Sequence, residues 1–165
     1  MSDKHSVFIA VGSNLGDKLA NCKKGIVNLE KSGKSTLTGH SQFYKTEPVD
    51  YKEQGWFINC MVKVETVLEP LELLDELKSI EHRAGRKVDS IRFGPRVLDL
   101  DIILYDDIIL NTPRLVIPHY KMHKRRFVLK PICDIEPEII HPVLNMNMRS
   151  LLDLLNYKNQ DIFLI

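Results

Sequence analysis

The chain has 165 residues, 44% hydrophobic and 27% charged, a composition that suits one ordinary core and excludes wholesale disorder. Its 23 basic and 22 acidic side chains leave a net charge of +1, so no bulk charge points to nucleic acid or an acidic surface. No apolar run reaches the ~20 residues of a membrane span, and M-S-D-K-H-S does not open like a signal peptide; a cytoplasmic protein is expected.

Residues 6–11, V-F-I-A-V after Ser6, form a short β-rich run that ends at Gly12 and predicts a buried strand. G-S-N-L-G-D then predicts a turn, with Ser13 or Asn14 as a helix cap. Leu15, Leu19, Cys22, Ile26 and Leu29 recur at helical spacing and predict an amphipathic helix that ends before Gly33. Residues 35–47 read as extended, and 47–55 as a polar loop. From 56 to 67 the pattern alternates. Phe57, Asn59, Met61 and Lys63 share one face of a strand, and Ile58, Cys60, Val62 and Val64 the other. Pro70 opens a second amphipathic helix that stops near Gly85. A basic loop over 86–95, a strand over 96–105 and a short return strand at 108–110 follow. Beyond a polar turn after Pro118, Phe127, Val128, Leu129 and Ile132 are apolar, and a last helix is expected around Ser150–Leu155. The order β-α-β-β-α-β with C-terminal additions predicts a ferredoxin-like α+β fold over one domain, 1–165.

Cys22, Cys60 and Cys133 are widely spaced, form no C-x-x-C pair and are expected to be buried reduced thiols. Two segments concentrate the cations. Arg83, Arg86, Lys87, Arg92 and Arg96 stand against Asp89, and Arg114, Lys121, Lys124, Arg125, Arg126 and Lys130 against no acid. Between them lie Asp99, Asp101, Asp106 and Asp107. Cations flanking carboxylates suggest a polyanion held jointly by arginines and a metal, although a solvated mixed-charge surface has the same composition.

Two patterns are decoys. S-G-K-S-T at 32–36 lacks the P-loop's first glycine, since Asn28 occupies that place, and it follows a helix rather than a strand. His119 and His123 are four apart, but no further metal ligand accompanies them and Pro118 argues for a turn.

The most informative stretch is R-F-G-P-R-V-L-D-L-D-I at 92–102. On a strand, Asp99 and Asp101 point to one face while Leu98, Leu100 and Ile102 point to the core. Two carboxylates on one face repel each other, a conflict that Mg²⁺ with phosphate oxygens removes. Arg92 and Arg96 bracket the rigid Gly94–Pro95 turn, where a phosphate clamp would stand.

Together with G-S-N-L-G at 12–16, F-Y-K-T-E-P at 43–48, F-I-N at 57–59, G-P-R-V-L-D-L-D-I at 94–102 and V-I-P-H-Y at 116–120, this stretch closely resembles the 6-hydroxymethyl-7,8-dihydropterin pyrophosphokinase family of folate biosynthesis. The resemblance runs from about Val7 to Pro142. It implies transfer of pyrophosphate from ATP to the pterin's hydroxymethyl oxygen, with release of AMP. It also implies two Mg²⁺ ions on Asp99 and Asp101, with Arg86 and Arg96 as catalytic cations. Glu81, Arg96, Ile102, Arg114, His119, Tyr120 and Arg125 would form the ATP site. The pterin would lie between Phe57 and Phe127, read by Asn59 and by backbone near Thr46, Pro48 and Val49, with Asp99 beside it. ATP and the pterin are the expected partners, to a monomer or at most a weak oligomer without nucleic acid or membrane. Departures from the family pattern are Phe93 for tryptophan, Phe57 for a frequent tyrosine, Lys78 for glutamine and Val88 for a loop arginine. The alternatives are a ferredoxin-like nucleic-acid-binding module, against which the missing RNP aromatics speak, and a regulatory domain that binds ATP without turnover.

Overall fold

The computed structural model describes residues 3–85, 94–156 and 158–165. The chain runs β1 (His5–Ser13), α1 (Lys18–Leu29), β2 (Ser35–His40), β3 (Tyr44–Thr46), β4 (Phe57–Thr66), α2 (Pro70–Arg83) and β5 (Asp99–Tyr105). It continues with β6 (Leu110–Asn111), β7 (Val116–Ile117), a 3-10 turn (Met122–Lys124), α3 (Arg126–Ile135), α4 (Met148–Leu154) and β8 (Ile162–Leu164). The main sheet has the order β5-β1-β4-β3-β8, with β2 also paired to β4, and the β1, β2, β3 and β5 pairings are antiparallel. This is the ferredoxin-like α+β plan, its second strand divided into β2 and β3.

Strand alternation sorts the side chains into two cores. On one face Val7, Ile9, Val11, Cys60, Val62, Val64, Leu100 and Ile102 meet Cys22, Ile26 and Leu29 of α1 and Leu73, Leu77 and Ile80 of α2. On the other, Phe8, Met61 and Leu104 meet Val128, Leu129 and Ile132 of α3 and Met148 and Leu151 of α4. A bulge in the β1–β5 ladder, where Phe8 pairs Leu104 and Ile9 pairs Ile102, brings Ile103 into the second core.

Several expectations need correction. The cap of α1 is Asp17, whose Oδ1 accepts the Ala20 N–H at 3.2 Å; Ser13 ends β1, and Leu15 is exposed rather than part of the apolar face. The stretch 35–47 is two strands, because β2 and β3 pair with different parts of β4. β5 starts at Asp99 rather than 96, since Arg96 is held by Asn14 instead of by the ladder. The return strand is Leu110–Asn111, paired to β7. The helix α3 and the strand β8 were not anticipated; β8 pairs with the otherwise open edge of β3. Cys22 and Cys60 are buried free thiols as expected, but Cys133 is only partly buried. Among the described residues, no helix is long and apolar enough to cross a membrane.

Candidate active site

The helices α3 and α4 cover only part of their face of the sheet. Beyond them, β1 presents Phe8, Ala10 and Gly12 in descending size. Phe8 fills the core, while Ala10 and Gly12 form the floor of an open cavity of about 280 Å³. Gly12 lies opposite Asn59 on β4 and Asp99 on β5, and Ala10 lies opposite Asp101. Antiparallel partners share a face, so this register alone delivers Asn59, Asp99 and Asp101 to one surface. Gly12 is required there: a Cβ would stand 2.4 Å from Asn59 Oδ1. The missing side chain lets the Asn59 amide lie across the neighbouring strand. Thr46 orients that amide, its Oγ1 accepting a hydrogen bond from Asn59 Nδ2 at 2.6 Å.

The walls come from loops. Asn14 is buried and holds two of them together. Its Nδ2 donates to Gln54 Oε1 at 2.8 Å and to the Gly55 carbonyl at 3.1 Å. Its Oδ1 accepts the Arg96 N–H at 2.7 Å, and its own N–H donates to the Arg96 carbonyl at 3.0 Å. Arg96 is thereby fixed as a buried cation in the wall, with Nη1 on the Pro95 carbonyl at 3.0 Å. Opposite, the chain entering α3 supplies Arg125 and Phe127, with the guanidinium carbon 5.4 Å from the ring centroid. Arg125 Nη2 also donates to Asp50 Oδ2 at 2.6 Å, and Lys121 Nζ to Asp50 Oδ1 at 3.2 Å.

Electrostatics single out the aspartate strand. The Asp101 carboxyl is raised to about 8, first by burial, then by Asp99 and Glu81, against the opposing pull of Lys78 and Arg125. Glu81 is itself buried; its Oε2 accepts the Leu100 N–H at 2.7 Å, tying α2 to the outer edge of β5 behind the aspartates. Lys78, one turn earlier, lines the cavity and pairs with Glu81 at 3.4 Å. His119 is pushed down to about 4, chiefly by burial and then by Arg125. Its Nδ1 accepts the Lys121 N–H at 3.2 Å, which leaves the proton of the neutral ring on Nε2.

Among the described residues, no group of three or more His, Cys, Asp or Glu is arranged as a metal cage. The donor set is instead a carboxylate pair whose second member resists ionising alone. That set suits Mg²⁺, which takes one or two carboxylates together with phosphate oxygens.

The cavity brings together most of the residues expected from sequence: Thr46, Pro48 and Val49 from the loop after β3, Phe57 and Asn59 from β4, and Arg96, Asp99, Asp101, His119, Arg125 and Phe127. Others stand apart. Ile102 faces the α1–α2 core, and Glu81 sits behind β5. Arg114 is exposed and pairs with Asp75 of α2 at 2.5 Å. Tyr120 is half exposed and stacks on His119, with centroids 5.0 Å apart. Arg86, Lys87, Val88, Arg92 and Phe93 lie outside the described residues. Sequence reasoning missed Ala10, Gly12 as a packing requirement, Asn14 as a loop tie, and Asp50. The Phe-Ala-Gly taper on one face of β1 was a readable signal. The others needed the register or the loop contacts.

Fold and cavity thus define an α+β protein whose pocket combines two buried arginines, a carboxylate pair and two aromatic rings. The 7,8-dihydro-6-hydroxymethylpterin-pyrophosphokinase (HPPK) family matches residues 8–137, and the chain belongs to that family. It is 40% identical over 137 residues to the Haemophilus influenzae 2-amino-4-hydroxy-6-hydroxymethyldihydropteridine pyrophosphokinase, covering 83% of this chain and 85% of that protein. It is 46% identical over 140 residues to the folic acid synthesis protein FOL1 of Dictyostelium discoideum, covering 85% of this chain. The chain spans only about 21% of that longer relative and about 20% of the Schizosaccharomyces pombe one. Among solved structures, wild-type Plasmodium falciparum HPPK-DHPS with pteroate superposes with a TM-score of 0.73 at 16% identity, over 92% of this chain and 42% of that one. This last likeness is one of fold.

Proposed function

We propose that this chain transfers the β,γ-pyrophosphoryl group of ATP to the hydroxymethyl oxygen of 6-hydroxymethyl-7,8-dihydropterin, releasing AMP, as a step of folate biosynthesis. One observation carries the reading: a family member holds Asp99, Asp101, Arg96 and Arg125 around the same cavity as Phe57, Asn59 and Phe127. In this reaction the alcohol oxygen forms a bond to the β-phosphorus, the bond from that phosphorus to the α,β-bridging oxygen breaks so that AMP leaves with the oxygen, and the alcohol proton passes to solvent. Such transfer asks the protein for alignment and charge neutralisation rather than covalent work.

Arg96 and Arg125 neutralise the triphosphate, and Arg86 is assigned the same role from the basic loop. The rigid mounting of Arg96 and Arg125 matters, because charges already in position need no reorganisation as the transition state forms. His119, neutral at working pH, offers Nε2–H as a donor without adding charge. Arg114, Tyr120, Glu81 and the Ile102 backbone, which stand outside the cavity lining, are assigned to the nucleotide side by the family resemblance alone. Phe57 and Phe127 stack the ring, and Asn59, held by Thr46, presents both a donor and an acceptor to its edge. Pro48 and Val49 close that side. Asp99 and Asp101 would hold two Mg²⁺ ions, which when bound draw charge from the phosphates and acidify the attacking alcohol.

We assign residues 1–165 to one domain acting as a cytoplasmic monomer on small molecules, without nucleic acid or membrane partners. The main sheet that both cores share supports the single unit. The test is incubation with ATP, Mg²⁺ and the hydroxymethyl dihydropterin. Pterin-dependent AMP is expected; ADP in its place, or no nucleotide consumption, overturns the reading.

A further inference from the structure

Asp50 stands among the phosphate-binding cations and has no part in the reaction described above. Both of its oxygens are engaged, each by a different cation: Oδ2 by Arg125 at 2.6 Å and Oδ1 by Lys121 at 3.2 Å. Two oxygens of one anionic group, shared between a guanidinium and an ammonium, reproduce the pattern in which a phosphate binds the same pair. The Arg125 side chain is only 11% exposed. A cation so withdrawn from water needs a partner, and leaving it unpaired is costly. Arg125 also lines the cavity against Phe127, so a nucleotide phosphate that reaches its guanidinium arrives where the Asp50 carboxylate already is.

We propose that Asp50 is an exchangeable stand-in for a nucleotide phosphate: it neutralises Arg125 and Lys121 in the free protein, and the polyphosphate must displace it to bind. The inference rests on the proposed role of Arg125 in holding the triphosphate. Asp50 then sets nucleotide affinity downward while keeping the cationic wall assembled. It also ties nucleotide entry to the loop that carries Pro48 and Val49 on the pterin side, because the three residues are consecutive.

The test is a double-mutant cycle, read by calorimetry with α,β-methylene-ATP and Mg²⁺ on the full chain. Asp50→Ala is expected to tighten binding roughly fivefold, the upper end for a partly exposed ion pair, and Asp50→Asn to do nearly the same. In an Arg125→Ala background the gain should fall below about twofold, because the competition has lost its main object. An equal gain in both backgrounds would make Asp50 a mere distant charge and overturn the proposal, as would no gain in either. Adenosine, which lacks phosphates, should bind all variants alike; tightening of adenosine by Asp50→Ala also overturns it. Unchanged nucleotide affinity in Arg125→Ala alone would instead sink the triphosphate role of Arg125, a separate failure. The Arg125 Nε–Hε NMR resonance is a second readout: it should move on Asp50→Ala and on nucleotide addition, and a resonance indifferent to Asp50 refutes the exchange.

Discussion

On the α1–α2 side of the sheet, Val11, Cys60 and Leu100 form a row sealed under two helices. One residue along each strand, the row of Gly12, Asn59 and Asp99 looks the other way, into an open cavity. The same three strands therefore present a dry surface and a charged one, separated only by strand alternation. The first face gains stability by burying apolar area. The second carries a carboxylate pair in which burial first, and then the neighbouring Asp99 and Glu81, raise the Asp101 carboxyl to about 8. The first face is sealed along its length, whereas the second is packed only where α3 and α4 cover it, and the site is mounted on its uncovered end, where it can be strained without loosening either core.

The largest test of that division removes the acids. Asp99→Ala or Asp101→Ala should lower pterin-dependent AMP release by at least ~10²-fold, the scale of losing a principal charge-stabilising group. The circular dichroism spectrum should remain that of the native fold. Near-normal turnover in a folded variant would break the assignment.

A matched pair of glycine substitutions sharpens it. Gly25 on α1 faces the dry side, where a Cβ would meet Leu98 Cδ1 at 2.8 Å; Gly12 faces the cavity, where it would meet Asn59 Oδ1 at 2.4 Å. Gly25→Ala should cost about 1–3 kcal/mol of stability by overpacking, with pterin affinity per folded molecule retained. Gly12→Ala should weaken pterin binding by about 1–3 kcal/mol through the displaced Asn59, measured by calorimetry. Identical profiles from the two would erase the distinction between the faces. Phe57→Ala should lower pterin affinity by a similar ~1–3 kcal/mol, using base–aromatic stacking as the guide, while leaving nucleotide affinity in place.

The smallest effect is a pH dependence. Because the folded Asp101 carboxyl is raised to about 8 from an ordinary 3.8, the native state holds a proton that the unfolded state has released. Its contribution is full below the unfolded value and is lost as pH rises toward the folded one. His119, pushed down to about 4, acts oppositely between about 4 and its ordinary 6.5, and His123 and His141, also lowered by burial, reinforce it there. Only from about pH 7.5 are these histidines nearly neutral in both states, and there Asp101 dominates. Urea titrations of metal-free protein should therefore show stability falling by roughly 0.5 kcal/mol per pH unit from pH 7.5 to 8.5, a slope that Asp101→Asn removes. A flat wild-type profile would show that the Asp101 carboxyl is not raised by its burial and its acidic neighbours.

Much of this was legible in the chain itself. Alternation over 56–67 put Phe57, Asn59 and Met61 on one face, and the structure keeps them there because the period of a strand is fixed by its backbone. The spacing of Cys22, Ile26 and Leu29 set the buried stripe of α1 for the same kind of reason. Asp99 and Asp101 shared a face before any partner strand was known. These are local periodicities, and each residue's place follows from its neighbours in sequence. Tertiary structure decided the rest: which strand lies opposite which, so that Gly12 makes room for Asn59; that Asn14 joins the Gln54 loop to Arg96 instead of capping α1; and that Asp50 reaches Arg125 across 75 positions. Those pairings depend on chain closure between distant segments, whose outcome is set by the packing of the whole sheet and is not written in any window of sequence.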